Sequence, residues 1–233
     1  MTAALIAPPS IWRWSEVNRG RILSLTGQHL ELTVIAVAIG LVISLPLGIL
    51  AYWRARTYSP ISWAASVLYT IPSIALFVVM IPFTGLTVTT VEIGLVSYTL
   101  VILFRNVVAG LRGVPEEVKE AARGMGHSRS QLLWHVELPM AVPAVMAGIR
   151  VATVSTVGLV SVGFVVGKGG LGELIIDGLD RFYTPEVVVG VVLSIALALA
   201  ADAVLLLAEL RLTPWARTTS RLRTSANHGR SRR

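Results

Sequence analysis

Long apolar runs without any charged residue constrain the fold of this chain most strongly. Uncharged residues extend without interruption over residues 32–53, 57–91 and 151–167. About 20 apolar residues in a helix are enough to span a bilayer, and a soluble helix rarely stays apolar on every face for so long. Only 14% of the 233 residues are charged. The sequence therefore predicts an all-α, polytopic membrane protein.

Five membrane-spanning helices are predicted, at residues 32–53, 61–82, 92–111, 141–166 and 187–208. Pro72 lies within the second span and predicts a kink, because proline removes a backbone amide and frees a carbonyl one turn earlier.

The spans divide the chain into three parts. Residues 1–29 are predicted to be either an interfacial amphipathic segment or a partly ordered tail. Residues 30–211 form the membrane domain, and residues 212–233 form a basic, solvated tail.

The net charge of +7 raises the question of nucleic-acid binding, but the position of the basic residues argues against it. Seven of the twenty Lys and Arg residues lie at or after Arg211, and several others flank the apolar runs. That distribution is typical of membrane topology. The chain has no cysteine, which excludes disulfides and thiol chemistry.

The longest polar interval between two apolar regions, residues 114–139, contains helix signals. Pro115 suits the first position of a helix, and the two glutamates after it suit the positive end of the helix dipole. Gly124 and Gly126 interrupt that helix. The interval is therefore predicted to contain a short helix followed by a glycine break.

A second helix is predicted after the break. Ser128 and Gln131 have the spacing of a capping box, which starts a helix. Leu138 and Pro139 are predicted to end it, since proline restricts the residue before it. On composition alone, a solvated helical hairpin between two spans explains the interval equally well.

The same interval resembles the EAA signature of ABC importer permeases. The matching residues are Glu120-Ala121-Ala122, then Gly126, then Val136-Glu137-Leu138-Pro139. The resemblance implies the type I (MetI-like) permease fold, with about five transmembrane helices. It also implies that residues 114–139, here called the coupling region, form a cytoplasmic coupling helix that docks in a groove of an ATPase subunit.

Individual roles follow from the resemblance. It implies that Glu120 and Gly126 set the shape of the loop. The side chains implied to contact the ATPase are those of Ala121, Ala122, Met125, Leu132 and Leu133, with Leu138 and Pro139 completing the motif.

Two further stretches resemble the osmoprotectant branch of the family, which imports glycine betaine, carnitine and choline. They are residues 139–150, with Gly148 and Arg150, and residues 167–179, which are rich in glycine. The implied substrate is a quaternary ammonium compound. Another import branch, for methionine or phosphonate, shares the EAA loop and remains an alternative, and a secondary transporter or channel is a third hypothesis.

The resemblance also implies partners. They are a cytoplasmic ABC ATPase dimer that binds ATP and Mg, a second permease chain that is either identical or different, and an extracytoplasmic substrate-binding protein. The chain itself has no Walker A sequence, so we predict a transport subunit without catalytic residues, metal or cofactor.

Charge counting predicts the orientation. With the coupling region in the cytoplasm, fourteen Lys and Arg residues lie on the cytoplasmic side and five on the opposite side. This agrees with the positive-inside rule. A cell-membrane protein with its N-terminus outside and its C-terminus in the cytoplasm is therefore predicted.

The glycine-rich stretch after the fourth span is predicted to be an outer loop. Its G-x-G-x-x-G spacing does not indicate a dinucleotide site, because it follows a membrane span and no βαβ unit surrounds it. The resemblance places this loop where a substrate-binding protein docks, through Gly169, Gly170, Gly172, Glu173 and Asp177. Solvated loop charges are an equally good interpretation.

Arg150 and Asp202 are the ionisable residues placed deepest in spans four and five. Their similar depth predicts an interhelical ion pair that fixes the packing of the two spans, because charges in a bilayer tend to find partners. Alternatively, each faces a polar cavity independently. The histidines, including His29, show no metal-binding spacing and are interpreted as ordinary interface or surface residues.

Overall fold

The computed structural model describes residues 11–214; the first ten residues and the predicted basic tail from residue 215 onward lie outside them. All regular secondary structure in the described part is helical. The α-helices are α1 (Ile11–Val17), α2 (Arg19–Trp53), α3 (Ala55–Thr70), α4 (Ser73–Thr84), α5 (Val88–Arg112), α6 (Glu116–Gly124), α7 (Arg129–Leu132), α8 (Leu138–Val160), α9 (Leu171–Asp180) and α10 (Thr184–Leu212).

Four helical segments are long and apolar enough to cross a membrane, namely Arg19–Trp53, Val88–Arg112, Arg129–Val166 and Thr184–Leu212. If the bent pair α3 and α4 is counted as one further span, the number of spans rises to five. The predicted all-α membrane fold with about five spans is therefore confirmed.

The first span is longer than predicted. Its helix begins at Arg19 instead of residue 32, so residues 19–29 of the predicted N-terminal segment belong to α2. Leu25 explains the extension, because it is buried in a cluster with Leu171 and Leu174 of α9 and Val189 of α10. Tertiary packing thus stabilises a stretch that is too polar to be recognised as a span from composition.

The second span is broken rather than kinked. α3 and α4 are bent by 95° across Ile71 and Pro72, and both residues have extended backbone. The residue before a proline is disfavoured in the helical region, which explains the conformation of Ile71. The Tyr98 hydroxyl of α5 donates a hydrogen bond to the Ile71 carbonyl that the break leaves free.

The predicted end of the second coupling-region helix at Leu138 and Pro139 is wrong. α7 continues through a π-helical segment, Leu133–Glu137, directly into α8 and then into a 3₁₀ turn, Ser161–Val166. The wider π turn lets the Leu138 amide donate to the Leu133 carbonyl, and Pro139 follows this altered turn directly.

Small residues bring the central helices together. Gly40, Ser44 and Gly48 are buried on one face of α2, and a Cβ at either glycine would overlap Thr99 or Val107 of α5. Membrane helices associate through such small-residue faces, because lipid supplies no hydrophobic drive between them. α5 therefore lies between α2 and α8 in the core of the fold.

Candidate coupling surface and ion-pair sites

The first coupling-region helix, α6, forms as predicted, although Pro115 is its N-cap and not its first helical residue. Glu116 accepts a hydrogen bond from Arg123 at 2.8 Å and lies 3.3 Å from the Lys119 ammonium. The Arg123 guanidinium, together with Lys119, holds the pKa of the Glu116 carboxyl below its usual value. These contacts fix one face of a short helix that would be marginal alone.

The turn between α6 and α7 is set by Gly126, whose φ is +87°. A Cβ at Gly126 would have open space around it, so the requirement for glycine is one of backbone conformation and not of room. The predicted capping box is confirmed at the start of α7: Ser128 accepts from the Gln131 amide at 3.3 Å, and Gln131 accepts from the Ser128 amide at 2.8 Å.

The residues that the resemblance assigns to ATPase coupling separate into two groups. Glu120, Ala121 and Met125 are exposed, and Met125 presents 73% of its surface. Glu120 forms no ion pair with the rest of the described chain.

The other group is buried within the chain, and for it the expected direct contact with a partner has to be corrected. Ala122, Leu132 and Leu133 are 2%, 4% and 1% exposed. Leu133 packs in a cluster with Val107 and Leu111 of α5. These three side chains pack beneath the exposed surface formed by Glu120, Ala121 and Met125. Leu138 and Pro139 are half-buried at the start of α8.

A buried polar clamp joins the coupling region to the nearest ends of α2 and α8. The Tyr52 hydroxyl donates to Glu137 at 2.6 Å, and Glu137 is only 3% exposed. The Lys119 ammonium, in a side chain that is also buried, lies 5.6 Å from the centre of the Tyr52 ring. The clamp of Tyr52, Lys119 and Glu137 thus connects three helical segments through polar groups that have few other partners.

A second contact reinforces this connection. The Arg129 guanidinium of α7 donates to the Trp53 carbonyl at 3.2 Å and lies 5.1 Å from the Trp53 ring centroid. Tyr52 and Trp53 end the first predicted span, and the sequence assigns them no further role. An aromatic pair at the end of a helix was visible in the sequence. No local pattern indicates the partners of that pair, which lie about 70 to 85 residues away.

Arg150 and Asp202 are brought together as their depth predicted. The Arg150 guanidinium donates to both Asp202 oxygens, at 2.8 and 2.9 Å, in the two-pronged geometry that favours arginine. It also donates to Glu209 at 3.3 Å, a partner that the sequence did not identify. One arginine of α8 therefore binds two carboxylates that are two turns apart on α10.

The predicted outer loop contains the ten-residue helix α9. Gly169, Gly170 and Gly172 are buried, and Cβ atoms there would overlap Phe164, His29 and Ser161. These glycines serve close packing and offer no surface to a partner, so the direct docking contact expected of them has to be corrected.

The two acidic residues of that prediction are also engaged within the chain. Glu173 accepts from the Gly169 amide at 3.2 Å. Asp177 forms an ion pair with Arg21 of α2, which also pairs with Glu186 of α10.

His29 has a structural role that the sequence did not indicate. It is fully buried, its Nε2 lies 2.9 Å from the Val157 carbonyl, and its Nδ1 lies 3.2 Å from the Leu171 amide. The amide can only donate, so Nδ1 is the acceptor and Nε2 carries the proton. His29 thereby joins α2, α8 and the start of α9.

The chain has relatives of known function. Residues 40–214 match the family described as binding-protein-dependent transport system inner membrane component. The chain is 37% identical over 202 residues to the osmoprotectant import permease protein OsmW of Salmonella typhimurium, covering 84% of this chain and 94% of that protein. It is 33% identical over 205 residues to the choline transport system permease protein OpuBB of Bacillus subtilis, covering 88% and 94%.

A solved structure agrees with this relationship. An inward-facing MetNI methionine ABC transporter chain is 27% identical, with a TM-score of 0.69, and the match covers 82% of this chain and 97% of that one.

Proposed function

Because this chain belongs to the family of binding-protein-dependent transport system inner membrane components, we propose that it is the permease subunit through which an ABC importer moves quaternary-ammonium osmoprotectants such as choline, glycine betaine and carnitine. It is a multi-pass membrane transport subunit of the MetI type. The substrate class is supported by the relatives named for osmoprotectant and choline transport.

The observation that carries the proposed energy coupling is the exposed turn at Met125. An ATPase dimer that binds ATP and Mg docks there, on Met125, Ala121 and Glu120, in the cytoplasm. The chain has no Walker A sequence of its own, so the energy has to enter from another protein.

The buried clamp supplies a path for that energy. A force on α6 reaches α2 and α8 together, because Lys119 packs on Tyr52 and Tyr52 is bonded to Glu137. The coupling region is thus held to two spans at once, and closure of the ATPase moves them as a unit. No catalytic residue of this chain takes part.

The assembly follows from the same arrangement. Two permease chains, identical or different, enclose the route, with the N-terminus outside and the C-terminus in the cytoplasm. A substrate-binding protein docks on the outer side. Since the predicted glycines are buried, the docking surface is better assigned to the tip between α9 and α10, where Phe182 is 97% exposed and Arg181 is also exposed.

Methionine import is the second candidate function. It is favoured by the similarity to the methionine transporter, which covers nearly all of that chain. The osmoprotectant proposal has the stronger support because the relatives named for it reach 37% identity.

Uptake by the reconstituted complex separates the two candidates. We expect ATP-driven uptake of labelled choline or glycine betaine into proteoliposomes, inhibited by an excess of the other quaternary ammonium compound and not by methionine. Uptake of labelled methionine, unaffected by choline, would overturn the substrate assignment.

The docking surface is tested with Met125→Glu and its matched control Met125→Leu. Placing a charge on the exposed turn is expected to lower co-purification of the ATPase at least tenfold, because the loss of a hot-spot contact costs about 2 kcal/mol or more. Leucine keeps the apolar contact and is expected to behave as the unmodified chain. Equal ATPase recovery with both variants would contradict docking at Met125.

A further inference from the structure

The break between α3 and α4 lies deep inside the membrane domain. Ile71 at the break contacts Tyr98 of α5, the helix Val88–Arg112. Tyr98 is ten residues from one end of α5 and fourteen from the other, which is about 15 and 21 Å at the helical rise. Extended backbone at that depth is tolerated only where protein covers it or where it lines a cavity.

A pocket of about 340 Å³ does lie against the break, and α5 and α8 contribute the rest of its lining residues. That volume falls at the lower end of small-molecule sites, which span roughly 300–1,000 Å³. Seven of its eleven lining residues carry a hydroxyl group and none is charged. The larger groove between α2, α8 and α10, about 470 Å³, has only two hydroxyls among fourteen lining residues, as expected of a surface that faces lipid chains.

Several hydroxyls of the pocket have already committed their protons to backbone carbonyls. Thr70 donates to the Val67 carbonyl at 2.7 Å, Thr156 donates to the Ala152 carbonyl at 2.7 Å, and Tyr98 donates to the Ile71 carbonyl. A hydroxyl has one proton and two lone pairs. The lining is therefore electronegative without a formal charge, which suits a cation that has no N–H to donate.

Two aromatic rings border the same pocket. Tyr69 and Tyr98 meet edge to face with their centroids 5.6 Å apart, and Tyr69 is 49% exposed. Tyrosine faces attract quaternary ammonium groups. A site built from ring faces and hydroxyl oxygens also binds weakly enough to release its ligand, which conduction requires.

We propose that this pocket is a transient binding site for the trimethylammonium group of the transported compound, at the midpoint of its route through the permease. The site rests on the proposed substrate class and adds the residues that meet the substrate inside the membrane. Tyr69 supplies the exposed ring face, and the Thr70 and Tyr98 oxygens supply the negative lining.

Tyr69 is tested by comparing Tyr69→Leu with Tyr69→Phe in the reconstituted complex. Leucine removes the ring, and we expect choline uptake to fall roughly 3- to 30-fold, the range of a cation–π contact. Phenylalanine keeps the ring face and is expected to stay within about twofold of the unmodified chain.

A labelling experiment tests the site independently of uptake. The chain has no cysteine, so Ser155→Cys in the pocket creates its only thiol, and the Ser155 hydroxyl makes no hydrogen bond to the described residues that would be lost. We expect millimolar choline or tetramethylammonium to slow its reaction with trimethylammonium-ethyl methanethiosulfonate at least threefold. The neutral isostere 3,3-dimethylbutan-1-ol should not. Ala201→Cys, in the apolar groove, is the control and should show no protection.

The outcomes separate the site from the proposed function. If the unmodified complex takes up no quaternary ammonium compound, the substrate class is wrong. If it does, and Tyr69→Leu transports normally or Ser155→Cys is unreactive or unprotected by choline, the site is wrong. A Tyr69→Leu chain that fails to assemble leaves the Ser155→Cys labelling to decide.

Discussion

Gly126 shows how a single backbone angle sets the shape of the coupling region. Its φ of +87° lies in a region that L side chains rarely adopt, while the space around it is open. The exposed Met125 next to it is held in place by that turn. A substitution at Gly126 therefore acts through conformation, and the tolerance of each residue type for positive φ predicts its effect.

We predict that Gly126→Val disrupts coupling and Gly126→Asn preserves it. A β-branched residue at positive φ costs more than the roughly 1–2 kcal/mol of an ordinary side chain, whereas asparagine tolerates this region. Membrane insertion should be normal for both variants, and ATP-driven uptake should fall at least tenfold for valine only. Comparable uptake by the two variants would show that the positive φ is not required.

At the scale of the helix, α10 is attached to the rest of the fold by unusually few buried contacts. No residue of its most apolar 18-residue window is buried within the chain. The Arg150 guanidinium crosses from α8 to Asp202 and Glu209, which lie two turns apart on α10. Because Arg150 has two carboxylate partners, its positive charge keeps a counter-charge when either one is lost.

We predict that Asp202→Asn alone is tolerated and that Asp202→Asn combined with Glu209→Gln is not. The double variant leaves Arg150 without a counter-charge inside the membrane domain. The midpoint of thermal dissociation of the purified complex should fall by roughly 2–4 °C or more in the double variant, and by clearly less in either single variant. Additive small effects would instead indicate that each carboxylate acts independently.

At the scale of the whole molecule, the clamp of Tyr52, Lys119 and Glu137 is the connection through which we propose that motion of the coupling region reaches the spans. Glu137 lies in the π-helical segment that replaces the expected helix end. π-Helical turns are frequent at functional positions, because their altered hydrogen bonding permits local adjustment. In the proposed orientation, the clamp thus links an exposed cytoplasmic surface to a span that contains a π-helical turn.

Tyr52→Phe tests the clamp, with Tyr58→Phe as its control. Removing the Tyr52 hydroxyl leaves the buried Glu137 without that donor, a loss of about 1.5–3 kcal/mol for a hydrogen bond to a charged group. The Tyr58 hydroxyl bonds to nothing in the described chain, and its ring contacts survive the change. We predict normal ATPase binding for both variants, with more ATP hydrolysed per substrate only for Tyr52→Phe. An unchanged ratio would exclude the hydrogen bond from coupling.

In the coupling region, only contacts between residues close in sequence could be predicted. The capping box of Ser128 and Gln131 was predictable, since its members are three residues apart. The burial of Ala122 and Leu133 was not, because it depends on α5 and α8 packing beneath them. The partners of Tyr52 are equally remote in sequence.

The sequence by itself determined that this chain is a helical membrane protein, because hydropathy and helix length are properties of consecutive residues. It also determined where the polar coupling region lies and that Gly126 interrupts it. Only the tertiary structure decided that α2 starts at Arg19, that the second span breaks by 95°, and that the second coupling-region helix continues past Pro139. Each of these depends on contacts between segments that are distant in sequence. Such contacts can stabilise a polar helical turn or supply a hydrogen-bond donor to a free carbonyl, and no local sequence pattern encodes them.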